Sequence, residues 1–246
     1  MKLKFILLAM SMILCCSSFK VNASDRDLDL STMCYNSNQF EINKLLNLRI
    51  SNNNIVIEDT MLSYDNISKQ GHAIDIQQNS VIDTWFKKGN YYSCISGVDE
   101  DNNYISSGWV THSDKSDEPS DVYIKELTDY EDTLSLLQEV CDKTVISRNM
   151  VDKGTYTVKD FKSAKHKVYI PNAKYSTSVA VNLLSNKEIE IQFDTNYSSN
   201  IYGVEGEKST YIVTIKDTRI YIPQVVSSSS TTNNKRFIDI YNTIMR

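Results

Sequence analysis

Glycine and proline are scarce in this chain. Seven glycines and three prolines occur among 246 residues, which is few for a protein built from short strands and tight turns. Asparagine and aspartate must therefore supply many of the turns, because their side chains bond to nearby backbone and tolerate left-handed conformations.

Long apolar runs are also lacking after residue 23. A membrane-spanning helix needs about 20 predominantly apolar residues, and no later segment approaches that length. The sequence therefore predicts that the protein is not an integral membrane protein.

Catalytic and metal-binding motifs are missing as well. The histidines are His72, His112 and His166, and none belongs to an H-x-x-x-H pair typical of zinc sites. There is no G-x-S-x-G elbow and no S-x-x-K followed by K-T-G. Cys94 with His112, or Cys141 with His166, could meet in space as a thiol and imidazole pair. No local motif supports such a pair, so we predict no catalytic residue, metal or cofactor.

A partial calcium-loop pattern occurs at Asp99, Asp101 and Asn103, whose spacing matches the start of an EF-hand loop. Tyr104 stands where that loop needs glycine, and Val110 stands where it needs glutamate. We therefore predict a solvated hairpin tip instead.

The first 23 residues have the pattern of a secretory signal peptide. Lys2 and Lys4 precede an apolar run over residues 5–16, and the segment ends in Val21-Asn22-Ala23. We predict cleavage after Ala23 and export to the periplasm or the medium.

A lipoprotein is the rival interpretation, with a lipid on Cys15 or Cys16. Leu14 precedes Cys15, and Cys15 itself precedes Cys16, where lipoprotein sites have a small residue. The local residues therefore argue against lipidation.

The charge is acidic and unevenly distributed. Loss of Lys2, Lys4 and Lys20 with the signal peptide changes the net charge from −5 to −8. Residues 24–127 carry a net −9, and residues 128–246 carry +1. Such a surface repels phosphate backbones, which argues against nucleic acid as a partner. The acidic half could instead meet a basic protein.

Three cysteines remain in the mature chain: Cys34, Cys94 and Cys141. An oxidising compartment would allow one pair to close, and the sequence does not choose among the three pairings. Two alternatives stay open: a disulfide between Cys34 and Cys94, or three free thiols.

Strands are predicted over most of the chain, with alternating or β-branched segments separated by polar turns. The predicted strands contain residues 55–57, 72–76, 81–86, 91–95, 179–181, 189–193, 211–215 and 219–222. Two hairpins are expected, one turning at Asn186-Lys187 and one at residues 216–218.

Two helices are predicted. Thr128 to Glu131 has the form of a capping box, and a helix to about Cys141 should follow. Phe237, Ile240 and Ile244 mark a second, amphipathic helix, expected to dock on its own domain. The polar stretch Ser227 to Asn234 between sheet and helix is expected to be a mobile connector.

Residues 85–92, followed by Gly108-Trp109-Val110, form a W…G…Y and GWV pattern. Over about residues 35–115 the chain resembles bacterial SH3-like domains. The resemblance implies a small barrel whose exposed aromatic residues bind cell-wall peptides or another protein without chemistry. The implied binding residues are Trp85, Tyr91, Tyr92 and Trp109, although both tryptophans could instead be core residues.

A single basic cluster follows the helix predicted after Thr128. It comprises Lys159, Lys162, Lys165, His166, Lys167 and Lys174. Such a cluster could touch anionic polymers or headgroups, but we interpret it as a solvated strand edge kept soluble by lysine.

Together these features predict a mainly β protein with a few helices. An SH3-like domain (24–127) would precede a β-rich domain (128–246) that carries both helices. The predicted function is non-enzymatic binding in the bacterial envelope, with cell-wall peptide or glycan, or a protein, as the partner. An immunity or inhibitor protein that neutralises a toxin or hydrolase, and a cell-wall hydrolase, are the alternatives.

Overall fold

The computed structural model describes residues 39–65, 67–77, 79–87, 89–113, 133, 135–140, 155–158, 161–185, 187–217, 219–232 and 234–244. The predicted signal peptide, the capping box at Thr128, Cys34 and Cys141 lie outside these residues. The signal peptide therefore stays a prediction, whereas the predicted alternative of a disulfide between Cys34 and Cys94 is not formed, because the Cys94 thiol is free.

The described strands form one antiparallel sheet. They are β1 (Gln39–Ile50), β2 (Asn53–Asp65), β3 (Gln70–Gln77), β4 (Ser80–Lys87), β5 (Asn90–Val98), β6 (Tyr104–Ser106), β7 (Val110–Ser113), β8 (Thr155–Val158), β9 (Tyr175–Ser185), β10 (Glu188–Ile201) and β11 (Val204–Lys216). The order is β6-β5-β4-β3-β2-β1-β11-β10-β9-β8, and β7 pairs with β5 beside β6. The mainly β prediction is confirmed.

The sequence pattern placed most strands correctly. The segments 55–57, 72–76, 81–86 and 91–95 lie in β2 to β5, and β9 and β10 form the hairpin predicted at residues 186–187. The second predicted hairpin is wrong, because β11 pairs with β10 and β1 and residues 219–222 form no strand. Those residues leave the sheet instead, and Ile222 N donates to Gln70 Oε1 at 3.3 Å.

Three described helical segments accompany the sheet: α1 (135–140), α2 (Gln224–Ser229) and α3 (Asn234–Ile244). α2 includes Ser227–Ser229, so the first part of the stretch predicted to be a connector is helical. The mobility of that stretch stays a prediction. The backbone of Thr231 also bonds to Trp109 and Thr111, and this one-residue bridge covers the edge of β7.

One face of the sheet, here called the inner face, packs against α1 and α3. Leu136, Leu137 and Val140 of α1 join the main apolar core with inward residues of β1, β2 and β9 to β11. Phe237 and Ile244 of α3 pack on inward residues of β4, β5 and β7. The amphipathic pattern predicted for the second helix is confirmed, because α3 buries Phe237 and Ile244. Of the first predicted helix, the described residues Leu136, Leu137 and Val140 are buried.

The sheet joins strands from both predicted domains. β1, from the first, pairs along its whole length with β11, from the second. α3 docks on β5, β6 and β7, which belong to the first predicted domain. The predicted boundary at 127/128 falls outside the described residues and, like the SH3-like resemblance, stays a prediction.

Candidate functional site

Two of the four predicted binding aromatics meet on the outer face, which is the face opposite α1 and α3. Trp85 and Tyr92 are cross-strand partners in β4 and β5. The Trp85 indole stacks on the His72 imidazole, with ring centroids 3.8 Å apart and planes 11° apart. His72 Nε2 lies 2.8 Å from Asp83 Oδ1, which orients the imidazole. We call His72, Asp83, Trp85 and Tyr92 the aromatic patch.

The other two predicted binding residues, Tyr91 and Trp109, lie outside the aromatic patch. Strand alternation turns Tyr91 to the inner face, where its ring is 6.2 Å from that of Phe86 and 5.9 Å from that of His112. Trp109 lies in the loop before β7, and its carbonyl accepts a hydrogen bond from Thr231 N at 3.1 Å. Both tryptophans are half-buried, so neither is a fully enclosed core residue.

The inner face contains a polar site that the sequence analysis did not single out. One row of cross-strand neighbours runs from β5 to β9 through Ile95, Ile82, Asp75, Thr60, Lys44, Tyr211, Ile191 and Val181. The middle of this row is polar although both of its ends are apolar. The sequence signal for this polar site is the alternation of β1, which places Lys44 on the same face as the apolar residues Phe40 and Ile42.

These central side chains form a hydrogen-bonded network. Lys44 Nζ pairs with Glu58 Oε1. Thr60 Oγ1 lies 3.2 Å from both Glu58 Oε1 and Asp75 Oδ1, and Gln77 Nε2 donates to Asp75 Oδ2 at 2.9 Å. We call Lys44, Glu58, Thr60, Asp75 and Gln77 the central network.

The charges of this network are coupled. Burial, followed by the negative charge of Glu58, raises the pKa of Asp75. Burial alone would lower the pKa of Lys44, but Tyr211 and the carboxylates of Glu58 and Asp75 outweigh it and raise that pKa. Lys44 therefore remains an ammonium ion, while Asp75 is the carboxylate that takes up a proton more easily than usual.

A pocket of about 70 Å³ adjoins the network. Its floor consists of Lys44, Leu46, Ser209 and Tyr211 on β1 and β11, and its walls are Thr133, Leu136, Lys165 and Lys167. The predicted basic cluster thus contributes two lysines to this pocket. Its interpretation as a strand edge is wrong, because residues 161–174 cross the sheet as an irregular segment, which we call the crossing segment.

Two histidines are buried and structural. His112 Nε2 lies 3.3 Å from Ser93 Oγ, and His166 stacks on Phe193 with ring centroids 4.9 Å apart. Burial lowers the pKa of each imidazole to about 4, so both are neutral at pH 7. Ser93 is 1% exposed, which leaves a substrate no access to its hydroxyl.

The thiol and imidazole pair of Cys94 and His112, which no local motif supported, does not form, because strand alternation places the two side chains on opposite faces. The Cys94 thiol is free and lies 3.5 Å from Ser106 Oγ. Cys141 lies outside the described residues, so its pairing with His166 stays untested. Glu58 and Asp75 approach the same hydroxyl from neighbouring strands and do not face each other across a cleft, as the two carboxylates of a glycosidase do.

No metal site is evident in the described part of the chain, where no three His, Cys, Asp or Glu side chains cluster suitably. The predicted hairpin tip is confirmed: Asp99 Oδ1 accepts hydrogen bonds from the backbone N–H groups of Asp101 and Asn103 at 3.0 and 2.8 Å. Among the described helices, none has the length and apolar character needed to cross a bilayer.

No family model matches the chain, and neither does any curated protein. Among solved structures, a DUF1329 family protein from Desulfovibrio piger is similar over 77% of this chain and 89% of its own. The sequence identity is 6% and the TM-score is 0.23, so this similarity carries no argument about function.

Proposed function

We propose that the protein is an exported, non-enzymatic binding protein of the bacterial envelope, which recognises cell-wall peptide or glycan through the aromatic patch. The observation that carries the proposal is the stack of Trp85 on His72 beside Tyr92, on the face away from α1 and α3. Aromatic rings with one apolar face and a nearby polar group are typical recognition elements, because they bury large area at little entropic cost.

Preorganisation supports this role. Asp83 holds the His72 ring, and that ring in turn fixes the indole, so a ligand need not order these side chains. The polar neighbours on the patch can hydrogen-bond a sugar hydroxyl or a peptide amide.

A non-enzymatic role agrees with the arrangement of the reactive side chains. Ser93 is enclosed with His112, and Cys94 has a hydroxyl and not an imidazole as its neighbour. Ser93 has an imidazole neighbour but its hydroxyl is closed to substrate, and Cys94 has no imidazole among its described hydrogen-bond partners to activate the thiol.

Cosedimentation of mature Ser24–Arg246 with purified sacculi tests the proposal. Trp85→Ala and Tyr92→Ala should each reduce the bound fraction severalfold. Tyr202→Ala is the matched control, because Tyr202 is 94% exposed in the β10–β11 turn, away from the patch. Thermal denaturation shows whether each variant is folded.

Equal binding by wild type and by folded Trp85→Ala would overturn the aromatic-patch proposal. A stoichiometric complex with one envelope protein and no sacculus binding would support the inhibitor alternative instead.

A further inference from the structure

We propose that the pocket around Lys44 is a second binding site, independent of the aromatic patch, for a small organic anion. The ligand would carry a carboxylate or phosphate group joined to a short apolar part. Its recognition depends on charge, hydroxyl donors and two leucines that meet at this one place on the inner face.

Charge is the first argument. Among the described residues, those that line the pocket include three lysines and no carboxylate. Glu58 neutralises Lys44 from the side of the central network. Lys165 and Lys167 are exposed at the mouth and add positive charge there, which favours an anion.

Hydrogen-bond donors are the second argument. Ser209, Tyr211 and Thr133, each of which carries a hydroxyl, line the same cavity as the three lysines. Both Ser209 and Tyr211 are 6% exposed, so an oxygen anion held there would be largely removed from water. Hydrogen bonds to a charged acceptor are about twice as strong as neutral ones.

The apolar wall and the volume define the rest of the ligand. Leu46 from the sheet and Leu136 from α1 line the cavity together, and they would cover an alkyl group and not a second charge. A cavity of about 70 Å³ admits an anionic group with a few carbon atoms.

The two mouth lysines are positioned by a rigid support. They flank His166, which is buried and stacked on Phe193. Phe161, at the start of the crossing segment, belongs to the main apolar core. The backbone of Tyr169 donates to buried Glu207. The segment therefore holds the backbone of Lys165 and Lys167 at the mouth, so that binding need order only their side chains.

The test is a titration of the mature protein followed by ¹H–¹⁵N NMR. The probes are butanoate and butyl phosphate, with 1-butanol and inorganic phosphate for comparison. We expect saturable shifts at Lys44, Leu46 and Ser209 with the two alkyl anions. We expect weaker binding of inorganic phosphate and none of 1-butanol. Trp85→Ala should leave this binding unchanged, which separates it from the proposed function.

The decisive variant is Lys165→Ala/Lys167→Ala, which changes two exposed side chains and should fold. It should weaken binding of the alkyl anions by about tenfold or more, because both positive charges at the mouth of the pocket are lost. The matched control is Lys162→Ala/Lys174→Ala, which removes the same charge from exposed positions of the same segment. It should bind like wild type.

Three results would overturn the proposal. The first is the absence of saturable shifts at the pocket with both alkyl anions. The second is equal weakening in the two double variants, which would mean non-specific attraction to the basic segment. The third is equal affinity for 1-butanol, which would exclude recognition of the anion.

Discussion

The hydroxyl of Tyr197 donates a hydrogen bond to Glu207 Oε2 at 2.6 Å inside the protein, where Glu207 is 2% exposed. The same oxygen accepts from Tyr169 N at 2.6 Å, and Ile170 N donates to the Tyr197 hydroxyl at 3.0 Å. One buried carboxylate thus joins β10, β11 and the crossing segment. The position of the pocket lysines depends on this junction.

Replacement of Glu207 should show how much this junction stabilises the protein. Glu207→Leu leaves the Tyr169 N–H and the Tyr197 hydroxyl without their acceptor and should lower the free energy of unfolding by about 3 kcal/mol. Glu207→Gln retains one acceptor oxygen and should lose clearly less. Urea denaturation at pH 7 measures both, and equal losses would contradict the hydrogen-bond explanation.

Acid should destabilise the protein through its buried histidines. Folding lowers the pKa of His112 and His166 from 6.5 to about 4, so the unfolded chain binds protons first as the pH falls. Stability is lost between about pH 6.5 and pH 4, by about 3 kcal/mol for each imidazole. His166→Gln should lose less stability than wild type between pH 7 and pH 4 in urea titrations. An unchanged pH dependence would mean that His166 is protonated in the folded state.

Ionisation of Asp75 should make the protein less stable as the pH rises, whereas the buried histidines make it less stable as the pH falls. Its pKa is raised, first by burial and then by the charge of Glu58, so folding favours the protonated acid and stability falls as the pH rises through the folded pKa. Asp75→Asn should therefore be more stable than wild type at pH 8, and the difference should shrink towards pH 4. Thermal denaturation at both pH values measures it.

Asp217→Asn is the control for Asp75. Asp217 pairs with Lys187 at 2.9 Å on the surface, where its side chain is 84% exposed, and such pairs contribute little. A difference between Asp75→Asn and wild type that stays constant with pH would contradict the raised pKa.

Gly71 is required by close packing of the sheet interior. A Cβ atom added to it would lie 2.0 Å from Cζ of Phe86, its cross-strand partner. Gly71→Ala should therefore lower the free energy of unfolding by about 1–3 kcal/mol. Phe86→Leu in the same chain should relieve part of that loss. Additive effects of the two substitutions in urea denaturation would show that the methyl group and the ring do not collide.

Much of the secondary structure could be predicted because its signals are local. Alternation in Ile189 to Phe193 requires a strand with one buried face, and the apolar stripe of Phe237 and Ile244 requires a helix against a core. The predicted hairpin of residues 211–215 with 219–222 is wrong, because β11 pairs with β1 and β10. The local sequence pattern favours a hairpin between β11 and the segment that follows it. In the fold, β11 pairs with β1 (residues 39–50), which is a longer partner strand.

The binding aromatics show the same limit at the level of single residues. Tyr91 and Tyr92 are adjacent in sequence and fall on opposite faces, since successive side chains of a strand alternate. Which face carries the helices depends on contacts such as that of Phe237 with the β4–β7 region, more than 120 residues away in the chain.

The sequence by itself determined the β-rich class, most strand positions, the apolar stripes of the helices and the solvated turn at Asp99. These depend on residue periodicity and on side chains that bond to their own backbone. Only the tertiary structure decided that β1 joins both halves of the described sheet. It also decided that Lys44, Glu58 and Asp75 meet at its centre, and that Lys165 and Lys167 reach the same pocket. Strand order and cross-strand neighbours arise from long-range burial of apolar surface, which no local pattern encodes.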